Sequence, residues 1–199
     1  MHNNFTKLCL SVAFLTILNL GSNAQSTFSF GAKGGANIFK LSGNSFDKKF
    51  AVGFNAGGYA ELNLNSYWGL QPEVLFSQAS ATTSESFNGQ YQGVSFQRVS
   101  LDYVSVPILI AFRPSKEFTI LAGPQVGYLL YQTQNLVQYK TDAFKKTDIA
   151  IAFGGQFNLG KVKLGARYII ELNNINGLDN ADNWQNQGFQ FYFGYRLWK

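Results

Sequence analysis

Apolar residues recur at every second position through most of this chain. No stretch beyond residue 24 keeps a 3.6-residue apolar period for three turns. Period-two alternation gives an extended segment one apolar and one mixed face, which is the pattern of β-strands and not of helices. Eight segments show it: 27–38, 50–64, 68–78, 98–112, 118–131, 147–159, 162–172 and 189–198. In the first, Phe28, Phe30, Ala32, Gly34, Ala36 and Ile38 share a face opposite Ser29, Lys33 and Asn37. Segment 98–112 is ambiguous, since Val104, Val106, Ile108, Ile110 and Phe112 oppose the equally mixed Tyr103, Ser105, Pro107, Leu109 and Ala111.

The connections constrain the fold further. They run over 39–49, 65–67, 79–97, 113–117, 132–146, 160–161 and 173–188, so long and short alternate without a break. A soluble sandwich has no reason to sort its loops this way. A membrane barrel does, with short periplasmic turns, long extracellular loops and an even strand number. Each segment also supplies the roughly 9–11 tilted residues a spanning strand needs. The expected fold is all-β: a closed antiparallel eight-stranded up-and-down transmembrane β-barrel over residues 25–199.

Three features place the apolar face outside. Strand charges are few and lie on the mixed face: Lys33, Glu61, Glu73, Asp148, Arg167, Glu171 and Arg196, with Lys163 beside a turn. Equal numbers of cations and anions allow an interior network, whereas one isolated buried ion loses several kcal/mol. Aromatics crowd both ends of the apolar face. Trp68, Phe112, Phe118 and Phe157 fall near the short turns, and Phe50, Phe76, Tyr128 and Phe189 near the long loops. Such belts mark the two lipid–water interfaces. Finally, the inward positions include Gly31, Gly35, Gly53, Gly57, Gly127, Ala150, Ala152, Gly154, Gly165 and Gly194. Eight strands leave room only for side chains, so the interior is expected to be a plug and not a pore.

Residues 1–24 look like an export signal. Lys7 precedes an apolar run, 8–20, too short to cross a bilayer as a helix, and Ser22-Asn23-Ala24 supplies small residues for cleavage before Gln25. The chain's one His, His2, and one Cys, Cys9, both lie in this segment. Residues 25–199 therefore lack thiol nucleophiles, imidazole acid–base groups and the usual zinc ligands. Charged residues make up 14% of the chain, against about 25% in soluble proteins. The net charge of +5 is scattered and not clustered, which does not suggest a nucleic-acid partner.

In order along the chain, Gly34-Gly35-Ala36-Asn37, the GGYAELNL of 57–64, the LQPEVLFSQ of 70–78, the LDYVSVPILIAF of 101–112, the AGPQVGYLL of 122–130, the GARYIIEL of 165–172 and the FQFYFGYRL of 189–197 resemble the PorT-like outer-membrane β-barrel family of Bacteroidota. The resemblance covers nearly all of residues 25–199 except the loops. It implies an eight-stranded outer-membrane barrel without a catalytic motif. The family's namesake is tied to a type IX protein-secretion apparatus.

Chemistry is otherwise sparse. Glu61 and Glu73 lie on neighbouring segments and could form a carboxylate dyad, although interior pairing with Arg167 or Lys33 is the simpler assignment. Gly34-Gly35 and Gly57-Gly58 are not phosphate loops, because no helix or Lys-Ser/Thr follows them. Asp179, Asn180, Asp182 and Asn183 offer calcium-type oxygens without the glycine and distal glutamate of a calcium loop. Lys140, Lys145 and Lys146 could touch anionic lipopolysaccharide. The expectation is an envelope protein with no catalytic residues, cofactor or metal, whose partners are outer-membrane lipids and possible envelope or secretion-machinery proteins. The alternatives are a secretion-apparatus subunit, a narrow small-molecule channel and a lipid-modifying enzyme.

Overall fold

A computed structural model describes residues 27–42, 50–82, 98–132, 145–175 and 184–199. The regular structure of these residues is entirely strand: β1 (Thr27–Ser42), β2 (Ala51–Asn63), β3 (Trp68–Thr82), β4 (Arg98–Phe112), β5 (Phe118–Gln132), β6 (Thr147–Leu159), β7 (Val162–Glu171) and β8 (Gln185–Trp198). Each strand pairs antiparallel with the next, and β8 returns to β1 to close the barrel. Closure leaves no unpaired sheet edge.

Short turns join the strands at one end. Asn65 folds the β2–β3 turn by accepting from the backbone N–H groups of Tyr67 (2.9 Å) and Trp68 (2.8 Å). At β4–β5, the Ser115 hydroxyl accepts from the Phe118 N–H at 3.2 Å. The two-residue β6–β7 turn needs a left-handed residue, and Gly160 supplies it with φ of 67°. At the other end the connections are the segments 43–50, 83–97, 133–146 and 172–184.

The strands run further toward the loop end than hydrophobic alternation indicates. β1 continues to Ser42 and β8 begins at Gln185, and these two residues are register partners. The physical reason is that a backbone ladder continues past the apolar belt: Gln187 Nε2 donates to Ser42 Oγ at 3.0 Å, outside the reach of any apolar pattern. β2, by contrast, stops one residue short at each end.

The ambiguous β4 is settled by its neighbours, since register partners share a face. Tyr103 lies opposite inward Ser77, and Ser105 opposite inward Gly127. Tyr103, Ser105, Leu109 and Ala111 are therefore buried, while Val106, Ile108 and Ile110 face out. The outward face is apolar on every strand, including Phe54, Val74, Val126, Phe153, Ile170 and Phe193. At the loop end of that face, polar groups replace the apolar ones: Gln78 Nε2 donates to Asp102 Oδ1 at 2.9 Å.

Candidate functional site

The barrel interior brings together residues that are far apart in sequence, in four layers. Nearest the short turns, Lys163 on β7 reaches Glu61 on β2 at 2.7 Å, and Ser29 Oγ donates to the same carboxylate at 3.0 Å. Lys163 Nζ also donates to Asn158 Oδ1, whose amide nitrogen donates to Thr119. Arg113 turns back into this mouth over Gly69. Burial holds its guanidinium below the ordinary value, with the Glu61 charge opposing that shift.

The middle layer centres on Glu73. Its Oε1 accepts from Lys33 Nζ at 2.7 Å and from Gln71 Nε2 at 2.8 Å, and its Oε2 pairs with Arg167 Nη1 at 2.9 Å. β3 and β7 are four strands apart in the ring of eight, so the Glu73–Arg167 pair crosses the full width of the barrel. The Lys33 ammonium rests 3.6 Å from the centroid of the Tyr192 ring, a cation–π contact. Tyr192 fits because β7 carries Gly165 opposite it, where a Cβ would overlap the ring. Arg167 Nε donates to Gln190 Oε1 at 2.6 Å, and Gln190 in turn donates to Asn37 Oδ1 at 2.8 Å. Asn37 accepts from Asn55 as well and donates to Ser77.

Above this lies an acid pair. Asp148 and Glu171 are both buried on neighbouring strands and line one small cavity, and Glu171 Oε2 accepts from the Asn186 N–H at 2.5 Å. Among the described residues, neither meets a lysine or arginine. The uppermost layer is apolar: Phe39, Leu41, Leu101, Leu129, Ile175 and Trp184. Ile175 and Trp184 extend the β7–β8 ladder, since the Ile175 N–H donates to the Trp184 carbonyl at 2.9 Å.

Several sequence expectations change here. The charges do not form one balanced network. Lys33, Glu73 and Arg167 are one cluster, Glu61 belongs to Lys163, and Asp148 with Glu171 stands apart. Arg196 is on the inward-facing register but is part-exposed at the short-turn rim, where Nη2 donates to the Gly160 carbonyl at 3.1 Å. The carboxylate dyad does not form, because Glu61 and Glu73 are each engaged by cations. The filling is only partly polar: Leu75, Leu109 and Leu121 are fully buried inside alongside the upper layer. Tyr59 and Tyr192 were legible from strand parity. Ile175 and Trp184 had no such signal, because they lie in a connection.

The aromatics of the outer face lie as follows. Trp68 and Phe112 are register partners with ring centroids 4.8 Å apart, and Phe118 and Phe157 repeat this at 5.1 Å, both pairs beside short turns. Phe28, Phe30 and Trp198 join them there. Toward the loops, Phe76 stacks on Phe54 and Phe189 packs edge-on to Tyr168. Tyr128 is outward-facing, and exposed Phe50 lies beneath the Lys40 ammonium. Lys145 and Lys146 are exposed at the loop end. Residues 1–24, Lys140, Asp179, Asn180, Asp182 and Asn183 lie outside the described residues.

Residues 23–177 match the family described as outer membrane protein beta-barrel domain. No curated protein matches the chain. The solved structures similar to it include the following two. Ail, the attachment invasion locus protein of Yersinia pestis, in complex with the heparin analogue sucrose octasulfate, is 19% identical with a TM-score of 0.53, over 85% of this chain and 99% of its own. Neisserial surface protein A is 12% identical with a TM-score of 0.54, over 85% of this chain and 98% of its own. At these identities the likeness shows a common barrel fold alone. The chain thus belongs to the family of outer-membrane protein β-barrel domains, and its apolar outer face is the surface that meets the lipids of a bacterial outer membrane.

Proposed function

We propose that the protein is a side-chain-filled outer-membrane anchor whose role is structural, carried by the four connections at its loop end and by contacts with envelope partners. One observation carries this reading: the buried Glu73–Arg167 pair spans the barrel from β3 to β7. With Lys33 and Gln190 on the same cluster, solute would have to break charge-assisted bonds in a low-dielectric interior to pass. Reconstitution in planar bilayers tests it. Wild-type protein should show no stepwise conductance, and open-channel events of stable size would refute the plug.

In this reading residues 1–24 direct export and are cleaved, the short turns face the periplasm, and segments 43–50, 83–97, 133–146 and 172–184 are extracellular. Trp68, Phe112, Phe118 and Phe157 would sit at the periplasmic lipid interface, and Phe50, Phe76, Tyr128 and Phe189 at the outer one. Amino-terminal sequencing of the membrane form should begin at Gln25. Protease added to whole cells should cut only in the loop-end segments.

A second reading, an accessory subunit of a type IX-like secretion apparatus, draws on the resemblance of the 70–78 and 122–130 segments to PorT-like barrels. Affinity capture from gently solubilised envelopes tests it. Recovery without any other envelope protein would remove it.

A further inference from the structure

Elsewhere in the interior each buried carboxylate faces a cation: Glu61 has Lys163, and Glu73 has both Lys33 and Arg167. Asp148 and Glu171 break that rule. They lie on the adjacent strands β6 and β7, offset by two residues in register, and line one cavity, with no lysine or arginine among the described residues to balance them. Two like charges placed together away from water are costly unless something neutralises them.

The surroundings of this pair indicate what does so. A cavity of about 20 Å³ opens beside it, lined by Tyr103, Ser105, Gln125, Asp148, Glu171 and Asn186, among others. That is room for a single water-sized particle, for which about 10–15 Å³ suffices. Among its lining residues, the buried acceptors Asp148 Oδ1 and Gln125 Oε1 and the Tyr103 hydroxyl have no hydrogen-bond partner. Gln125, only 6% exposed, has no other group for its carbonyl oxygen. Two buried acceptors without a donor, beside a pair of carboxylates, ask for an electropositive partner. A single water can donate to both acceptors and accept from Tyr103, but it leaves the charge in place. A cation meets both acceptors and also offsets the two carboxylates.

We propose that this cavity is a binding site for one hard divalent cation of calcium's size, held by Asp148 and Glu171 with Gln125 and the hydroxyls of Tyr103 and Ser105 completing an oxygen shell. An all-oxygen set with two carboxylates suits calcium. Magnesium keeps several waters and requires near-ideal octahedral geometry, for which this cavity has no room. Anchored on β4, β5, β6 and β7, the ion ties together the wall from which the 133–146 connection leaves.

The test uses the full barrel in detergent micelles, stripped with EDTA and then titrated with Ca²⁺, Mg²⁺ or Tb³⁺. Thermal unfolding is followed by gel mobility of the unboiled protein, and Tb³⁺ luminescence is excited through tyrosine. Wild type should bind one ion, give a sensitised Tb³⁺ signal, and unfold at higher temperature with Ca²⁺ than with Mg²⁺. Asp148→Asn and Glu171→Gln should each weaken Ca²⁺ binding by at least about tenfold, the equivalent of about 1.4 kcal/mol. Both variants should unfold at or above the temperature of the metal-free wild type, because each relieves the like-charge pair, and this separates lost binding from misfolding. A Ca²⁺ response unchanged in both variants would assign the ion to the surface and overturn the proposal. No response in wild type would overturn it too, leaving a proton shared by the two carboxyls as the neutraliser. A Mg²⁺ response as large as that to Ca²⁺ would refute the size argument.

Discussion

Replacing Glu73 with glutamine keeps the side chain's shape but removes the charge that two cations share. In wild type, the Lys33 and Arg167 side chains are 1% exposed and Glu73 is 0% exposed. The variant therefore strands two buried cations at the centre of the barrel. Removing one partner of a buried pair costs about 3–5 kcal/mol. Lys33 keeps its place over the Tyr192 ring and Arg167 keeps Gln190, which argues for that range and not for twice it. With a urea m-value of about 2 kcal/mol/M, the unfolding midpoint should fall by about 1.5–2.5 M. Glu61→Gln is the internal control. It faces one cation, Lys163, in a pair 5–6% exposed near the short-turn mouth, and should shift the midpoint by less. The assay is urea unfolding of barrel folded in lipid vesicles, read by tryptophan fluorescence and by gel mobility of the unboiled protein. If Glu73→Gln unfolds within 0.3 M of wild type, or if Glu61→Gln is the more damaging, the central ion cluster does not hold the barrel as described.

Three further outcomes follow from the same geometry. Phe153, midway along β6, is 60% exposed on the outer face; Phe153→Arg should destabilise the barrel in vesicles by about 2–4 kcal/mol, whereas Tyr67→Arg in a short turn should change it little. Gly165→Ala pushes a methyl into the Tyr192 ring and should lower stability by about 1–3 kcal/mol; in a Tyr192→Leu background the same substitution should be nearly silent, and a double-mutant cycle reads the difference. At Gly160 nothing lies within reach of an added Cβ, but φ is 67°; Gly160→Ala should therefore lose about 1–2 kcal/mol of purely conformational origin, and Gly160→Asn less.

The outer surface was legible because lipid imposes one rule on every strand. Phe28, Phe54, Val74, Ile108, Val126, Phe153, Ile170 and Phe193 all alternate with residues that point inward, and the alternating loop lengths then set the strand number and closure. The inner surface obeys no single rule. Strand parity shows that Lys33, Glu73 and Arg167 share the interior, but it cannot say which touches which. That depends on how far each strand is staggered along the barrel, which is a property of the pairing register. Stagger is why Lys163, beside a turn in sequence, meets Glu61, while Arg196 stays at the rim. Trp184 and Ile175 were hidden for another reason: they carry no periodicity, and only the extended β7–β8 ladder turns them into the cap.

Composition and alternation by themselves determined an eight-stranded barrel with an apolar exterior, most strand charges on the interior face and no imidazole or thiol among residues 25–199. Those properties are local, since each residue's face is fixed by its neighbours two positions away. The pairing of Glu73 across the barrel with Arg167, the isolation of Asp148 with Glu171, and the small oxygen-lined cavity beside them were decided by tertiary structure. They arise from closure, which brings side chains from opposite walls within about 3 Å of one another, and no linear pattern encodes that distance.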